Sequence, residues 1–121
     1  MWAVHKGDLL RVRELCDWRA DVEAVGVHGF TPLWWASHRG HLNVVRELLV
    51  RGAVVDASEY TGWTPLIVAS YYGNVEVVRA LLAAGADKRR VTIEGHTAAS
   101  LAGHFYFFSR APILALLAAA P

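Results

Sequence analysis

The sequence predicts an all-α solenoid of stacked helix-turn-helix units joined by extended fingers that return on themselves, forming one domain over residues 1–121. Three observations carry that prediction. The chain repeats itself every 33 residues: Gly29, Gly62 and Gly95 open matching segments, and Gly7 precedes Gly40 by the same interval. Each copy has its own helix signals, with Thr-Pro at the start and glycine at the stops. Each copy also presents an apolar face that it cannot cover alone, so burial must come from stacking.

Taken in order, the first copy spans about residues 1–26 and lacks only its opening turn. Its line GDLLRVRELC, from Gly7, matches GHLNVVRELL, from Gly40, and Ala20 matches Ala53 and Ala86. The second copy, 27–59, opens with Thr31 as a side-chain cap and Pro32 at the first helical position, where a missing N–H costs nothing. Its short first helix stops at Gly40, a residue able to take the left-handed conformation. The second helix starts at His41, expected to cap it, and sets Leu42, Val45, Leu48 and Leu49 on one face before Gly52. The third copy, 60–92, repeats the plan with Thr64, Pro65, Gly73, Asn74, the set Val75, Val78, Leu81 and Leu82, and Gly85. Each fully buried Leu or Val contributes roughly 1.5–3 kcal/mol. In the last copy, 93–121, Thr97-Ala98-Ala99 has lost Pro and Leu. Ile113, Leu116 and Leu117 fit its second helix only if about two residues are inserted between Tyr106 and Ser109, which marks an irregular capping repeat.

Composition excludes several function classes. A hydrophobic fraction of 55% with 19% charged residues describes an ordered chain. Twelve Lys+Arg against eleven Asp+Glu give a net charge of +1, so there is no basic field for nucleic acid. The run Lys88, Arg89, Arg90 reads as a solvated loop. Cys16, the one cysteine, excludes an internal disulfide and a Cys-based zinc site, and its alignment with Leu49 and Leu82 makes it a core residue. The longest apolar stretch, Ala111 to Pro121, is too short to span a bilayer, and the start lacks the apolar block of a signal peptide. A soluble, intracellular protein, cytoplasmic or nuclear, is expected. No nucleophile with a base, paired acids or phosphate loop has convincing spacing. His5, His38 and His104 occupy equivalent positions, but about 8–10 Å separates neighbouring helices, too far to share one zinc ion. No enzymatic activity, catalytic residue, cofactor or metal is therefore expected.

The motif GxTPLxxA, the glycine after the first helix, the segments VVRELL and VVRALL and the GA at the second helix end resemble the ankyrin repeat. The resemblance covers nearly the whole chain, as three near-complete copies and a degenerate fourth. It implies L-shaped helix pairs, each with a short projecting β-hairpin finger, stacked into a curved ankyrin-repeat solenoid that binds other proteins. Two departures stand out. The family's histidine after Thr-Pro-Leu is replaced by Trp34, Ile67 and Ser100, which predicts apolar contact instead of an inter-repeat hydrogen bond. The family's asparagine at the finger base falls on Glu23, Asp56 and Arg89, so no hydroxylation site carries over.

In that architecture the finger tips and the exposed side of each first helix line one concave face. The finger positions are Val27, His28 and Phe30, then Tyr60, Thr61 and Trp63, then Ile93, Glu94 and His96. The helix positions are His5 and Lys6, His38 and Arg39, Tyr71 and Tyr72, His104 and Phe105. Tyr, Trp and Arg dominate binding hot spots, so the expected partner-binding set is Tyr60, Trp63, Tyr71 and Tyr72, flanked by Phe30, His38, Arg39 and Phe105. The competing reading of aromatics at helical spacing is core packing. It takes Trp35 outright, stands level with surface for Trp34, and assigns Trp2 and Trp18 to the edge. The run Phe105 to Phe108 reads as a loop tucked over the end of the stack, or else as an extension of the face. The expected partner is another protein, or a second copy through Tyr71 and Tyr72, with no nucleic acid and no membrane. Alternatives are an engineered ankyrin-type binder, or a targeting or regulatory fragment that recruits substrate to a larger enzyme. Unpaired apolar surface at Trp2, Ala3 and Val4 would distinguish the last.

Overall fold

A computed structural model of the chain describes residues 2–17, 22 and 28–121. Trp18, Ala20, Glu23 and Val27 lie outside the described residues, as do the side chains of Trp2 and His5. Eight α-helices follow in pairs among the described residues: α1 (Trp2–Lys6) with α2 (Leu9–Asp17), α3 (Pro32–Arg39) with α4 (Leu42–Val50), α5 (Pro65–Tyr71) with α6 (Val75–Ala83), and α7 (Ala98–Leu101) with α8 (Arg110–Ala119). The first helices pack side by side in one layer, the second helices in another, and the core lies between them. Leu33, Leu66, Val45, Val78, Leu48, Leu81 and Ile113 fill it.

The helix starts follow the sequence signals. Thr31 and Thr64 accept from the N–H groups of Trp34 and Ile67 at 3.1 and 3.2 Å, and Thr97 forms a reciprocal capping box with Ser100. Asp8 caps α2 by accepting from the Arg11 N–H at 3.1 Å. The expected His41 cap is not formed, and Asn74 does not cap its helix either. The Asn74 amide reaches across to the previous unit instead, donating to the Ser37 and His38 carbonyls at 2.8 and 3.3 Å. Packing between units decides this: His41 lies against Gly7, Asn74 against Gly40 and Ser109 against Gly73, at glycines with φ of 69°, 73° and 75°. A side chain pressed on the neighbour's turn is drawn away from its own helix end.

The fingers are tight turns, with no strand among the described residues. Glu59 N–H bonds the Trp63 carbonyl and Thr92 N–H the His96 carbonyl, closing two of them. Each finger also bonds the next, Tyr60 N–H to the His28 carbonyl at 3.1 Å and Ile93 N–H to the Thr61 carbonyl at 3.0 Å. At the finger base, Asp56 accepts from the Asp87 N–H through both carboxylate oxygens. Lys88 is not a solvated loop residue. Its ammonium donates to the Leu117 and Ala120 carbonyls at 2.8 and 2.7 Å, satisfying the end of α8 where the helix dipole favours a cation.

The last unit carries the expected irregularity as a single 3-10 turn, Phe107–Ser109, before α8. At the other end the unpaired apolar surface that would distinguish a targeting or regulatory fragment is absent at Ala3 and Val4, which are buried. Cys16 and Trp35 are half-buried at the core margin and not in its interior. Val68, equivalent to Trp35, is fully enclosed, so the slot fits Val but not an indole.

One ion-pair cluster ties the first two units together. Glu47 binds Arg51 on its own helix at 2.8 Å and Arg13 of α2 at 2.9 Å. The Arg51 bond, then the Arg13 bond, hold its carboxyl below the ordinary value of 4.5. A depressed carboxyl stabilises the fold above its unfolded value and loses that contribution as pH falls through the folded one. Glu47→Gln is therefore expected to lower the urea midpoint at pH 7, and the difference from wild type should shrink steadily below pH 4.5. A gap that stays constant with pH would show that the charge at Glu47 contributes nothing.

Candidate functional site

The face formed by the fingers and the first helices is built from the turn glycines upward. Gly29 and Gly62 have φ of 81° and 84°, and the Tyr60 ring lies on Gly29 while the backbone of Thr92 and Ile93 lies on Gly62. This close approach lines the fingers up beside the first helices. Between the second and third units it leaves a groove of about 280 Å³, lined by Phe30, Trp34, His38, Glu59, Thr61, Trp63, Val68, Tyr71 and Tyr72.

The rings form one continuous contact chain. Phe30 meets Trp34 at 4.5 Å between centroids, and Trp34 stacks on His38 at 5.4 Å with the planes 14° apart. His38 meets Tyr72 at 4.5 Å, Tyr72 meets Tyr71 at 4.9 Å, and Tyr71 meets Trp63 at 5.2 Å, all near 70°. Beyond the groove Tyr71 stacks on His104 at 4.8 Å, and Tyr72 touches Phe105 at 5.2 Å. Tilted and edge-to-face pairs at 4.5–7 Å are the favourable arrangements for aromatic quadrupoles, so the chain stiffens the face it forms.

Of the expected partner-binding residues, the groove gathers Phe30, His38, Trp63, Tyr71 and Tyr72. Phe105 continues the ring chain outside it, its N–H bonded to the Tyr71 carbonyl at 3.1 Å. Tyr60, 71% exposed with its ring against Gly29, and Arg39, also exposed, do not line the groove. The run after Phe105 is not tucked over the stack: Phe107 and Phe108 are 78% and 95% exposed. Tyr106 alone extends the ring chain, at 4.9 Å from Phe105.

Two groove residues escape sequence reasoning or reverse it. Trp34 does not exchange an inter-repeat hydrogen bond for apolar contact, because its indole Nε1 donates to the Trp63 carbonyl at 3.1 Å. Ile67, at the equivalent position, is apolar and buried as expected. Glu59 was not singled out at all, yet it is a buried carboxylate. Its Oε1 accepts from the Thr61 N–H at 2.9 Å, the Trp63 N–H at 3.0 Å and the Thr61 hydroxyl. Nothing in its spacing marks it, because the acid does not repeat: Thr92 stands at the equivalent position 33 residues on. No group of three or more His, Cys, Asp or Glu residues that could hold a metal ion occurs among the described residues. No described helix is long and apolar enough to cross a membrane.

Comparison with protein families gives a match to the family described as ankyrin repeats, in three copies, over residues 1–92. Comparison with curated proteins gives no match.

Proposed function

Because the chain belongs to the ankyrin repeat family, whose repeats are in general protein–protein interaction modules, we propose that it is a non-enzymatic binding module that seats a partner protein on its concave aromatic face. The observation that carries this is the chain of ring contacts running unbroken from Phe30 to Phe105 across three units with its groove left open. Rings fixed against one another lose little freedom on binding, which is why rigid aromatics anchor interfaces. Trp63, Tyr71 and Tyr72 are the anchors in this reading; Phe30, His38 and Phe105 extend the contact, and Tyr60 and Arg39 meet its rim. The whole chain acts as one domain in an intracellular setting, and the small net charge of +1 fits a protein partner better than nucleic acid or a membrane surface.

The test compares wild type with Trp63→Ala and Tyr72→Ala. Proteins captured by wild type from a cell extract should be lost by both variants, an effect of at least about 2 kcal/mol, with unchanged helical circular dichroism. Undiminished capture would sink the reading. Sedimentation over a concentration series identifies the occupant. A monomer leaves the face to a foreign protein, whereas a dimer abolished by Tyr72→Ala makes the partner a second copy.

A further inference from the structure

Resting on that reading, we propose that the groove takes the dimethylated side chain of a lysine in the partner, with Glu59 as its counter-ion. The argument starts from charge. Glu59 is only 7% exposed and lines the groove, yet its carboxylate has no ion pair and no hydrogen bond among the described residues beyond the three donors on Oε1. Oε2 has no donor yet is not shut off from solvent, so a cation entering the groove can reach it, and a carboxylate drawn this far out of water gains from such a partner.

The finger turn does not need that charge. At the equivalent position, 33 residues on, Thr92 is equally buried and holds its own turn with a neutral hydroxyl that accepts from the His96 N–H at 3.2 Å. Around Glu59 the walls are aromatic. Trp63 and Tyr72 stand at 72° and 71° to Tyr71, and Phe30 and Trp34 line the same groove. Ring faces attract a cation that has been stripped of water, and methylated ammonium groups are the cations such rings hold.

The open oxygen selects among cations. Arginine presents a fork of donors that matches both oxygens of a carboxylate, but here Oε1 is already taken by three donors. An unmethylated ammonium has three donors and strong hydration that ring faces cannot replace. A dimethylammonium keeps one N–H for Oε2 and turns two methyl groups to the rings, while a trimethylammonium has no N–H to give.

Tryptophan fluorescence of the full chain, titrated with N-acetyl dimethyllysine methylamide and with the lysine, trimethyllysine, arginine and uncharged tert-butyl analogues, tests the assignment. The dimethyl probe should bind about tenfold more tightly than the lysine, arginine and uncharged probes, and more tightly than the trimethyl probe. Glu59→Gln, which keeps the acceptor for the turn, should weaken it about tenfold, whereas Glu76→Gln on the outer helix should not. Arginine or the uncharged probe binding equally well, no saturable binding, or indifference to Glu59→Gln would each overturn the proposal. Failure here is separable from failure of the binding reading. Proteins captured by wild type, lost by Trp63→Ala, yet unaffected by Glu59→Gln and by excess dimethyl probe would remove the methylated lysine and leave the protein interface standing.

Discussion

Leu66→Ala is expected to destabilise the fold by about 2–5 kcal/mol, a large part of the roughly 5–15 kcal/mol that holds a domain of this size together. Leu66 is fully buried in α5, and α5 packs against α3, α6 and α7, so its side chain sits where both neighbouring units meet the third. The cavity left by truncation cannot collapse from one side without opening another. In a stacked array the interfaces supply much of the stability, so weakening the central first helix also uncouples the units on either side. Urea denaturation followed by circular dichroism reads this directly. With a slope of about 1–3 kcal/mol per molar urea, the midpoint should fall by at least about 0.7 M. Leu10→Ala, at a position 70% exposed, is the comparison and should move it by no more than about 0.5 kcal/mol. Equal shifts for the two variants would contradict the assigned core.

The second large effect is at Gly103, in the turn that leads from α7 towards α8. Its φ is +67°, and a Cβ there would lie 2.7–2.8 Å from the Arg110 backbone N, Cα and Cβ, at the start of α8. Gly103 N–H also donates to the Ser70 carbonyl at 3.0 Å, fixing this turn on the third unit. Gly103→Ala therefore meets both the left-handed penalty of about 1–2 kcal/mol and a clash with backbone that cannot rotate away. Gly85→Ala isolates the first of these, since Gly85 has φ +91° with nothing within 4 Å of its added methyl. Gly103→Ala should cost clearly more than Gly85→Ala and should expose the α8 amides to hydrogen exchange, while Gly85→Ala leaves them protected. Equal stability loss and equal protection in the two variants would show that α8 does not depend on this close approach.

Much of the site was legible before any coordinates, because repeat register converts a position in one unit into a place on a surface. Trp63, Tyr71, Tyr72, Phe30 and His38 were named from that register and line one groove. Tyr60 and Arg39 share the register but not the groove, since register fixes where a residue stands and leaves its side-chain direction to local packing. Glu59 escaped notice because a single acid in a loop carries no spacing signal, and only burial distinguishes it from a solvated one. The exposure of Phe107 and Phe108 contradicts the expected tuck for a similar reason. The rule that apolar rings seek cover does not say whether neighbouring surface is available.

By itself the sequence determined what is local and periodic: the number of helices per unit, the Thr-Pro starts, the glycine stops and the apolar face that requires stacking. These follow from hydrogen bonds within one turn and from a spacing repeated in the chain. Tertiary structure alone decided what depends on contact between units. It drew Asn74 away from its own helix end to the Ser37 carbonyl, gave Trp34 a hydrogen bond to Trp63, held the half-buried Trp35 at the core margin, and buried the Glu59 carboxylate beside aromatic walls. For Asn74 and Trp34 the physical reason is the same. A side chain at a unit boundary takes the partner that lies closest after stacking, and that partner stands some thirty residues away along the chain.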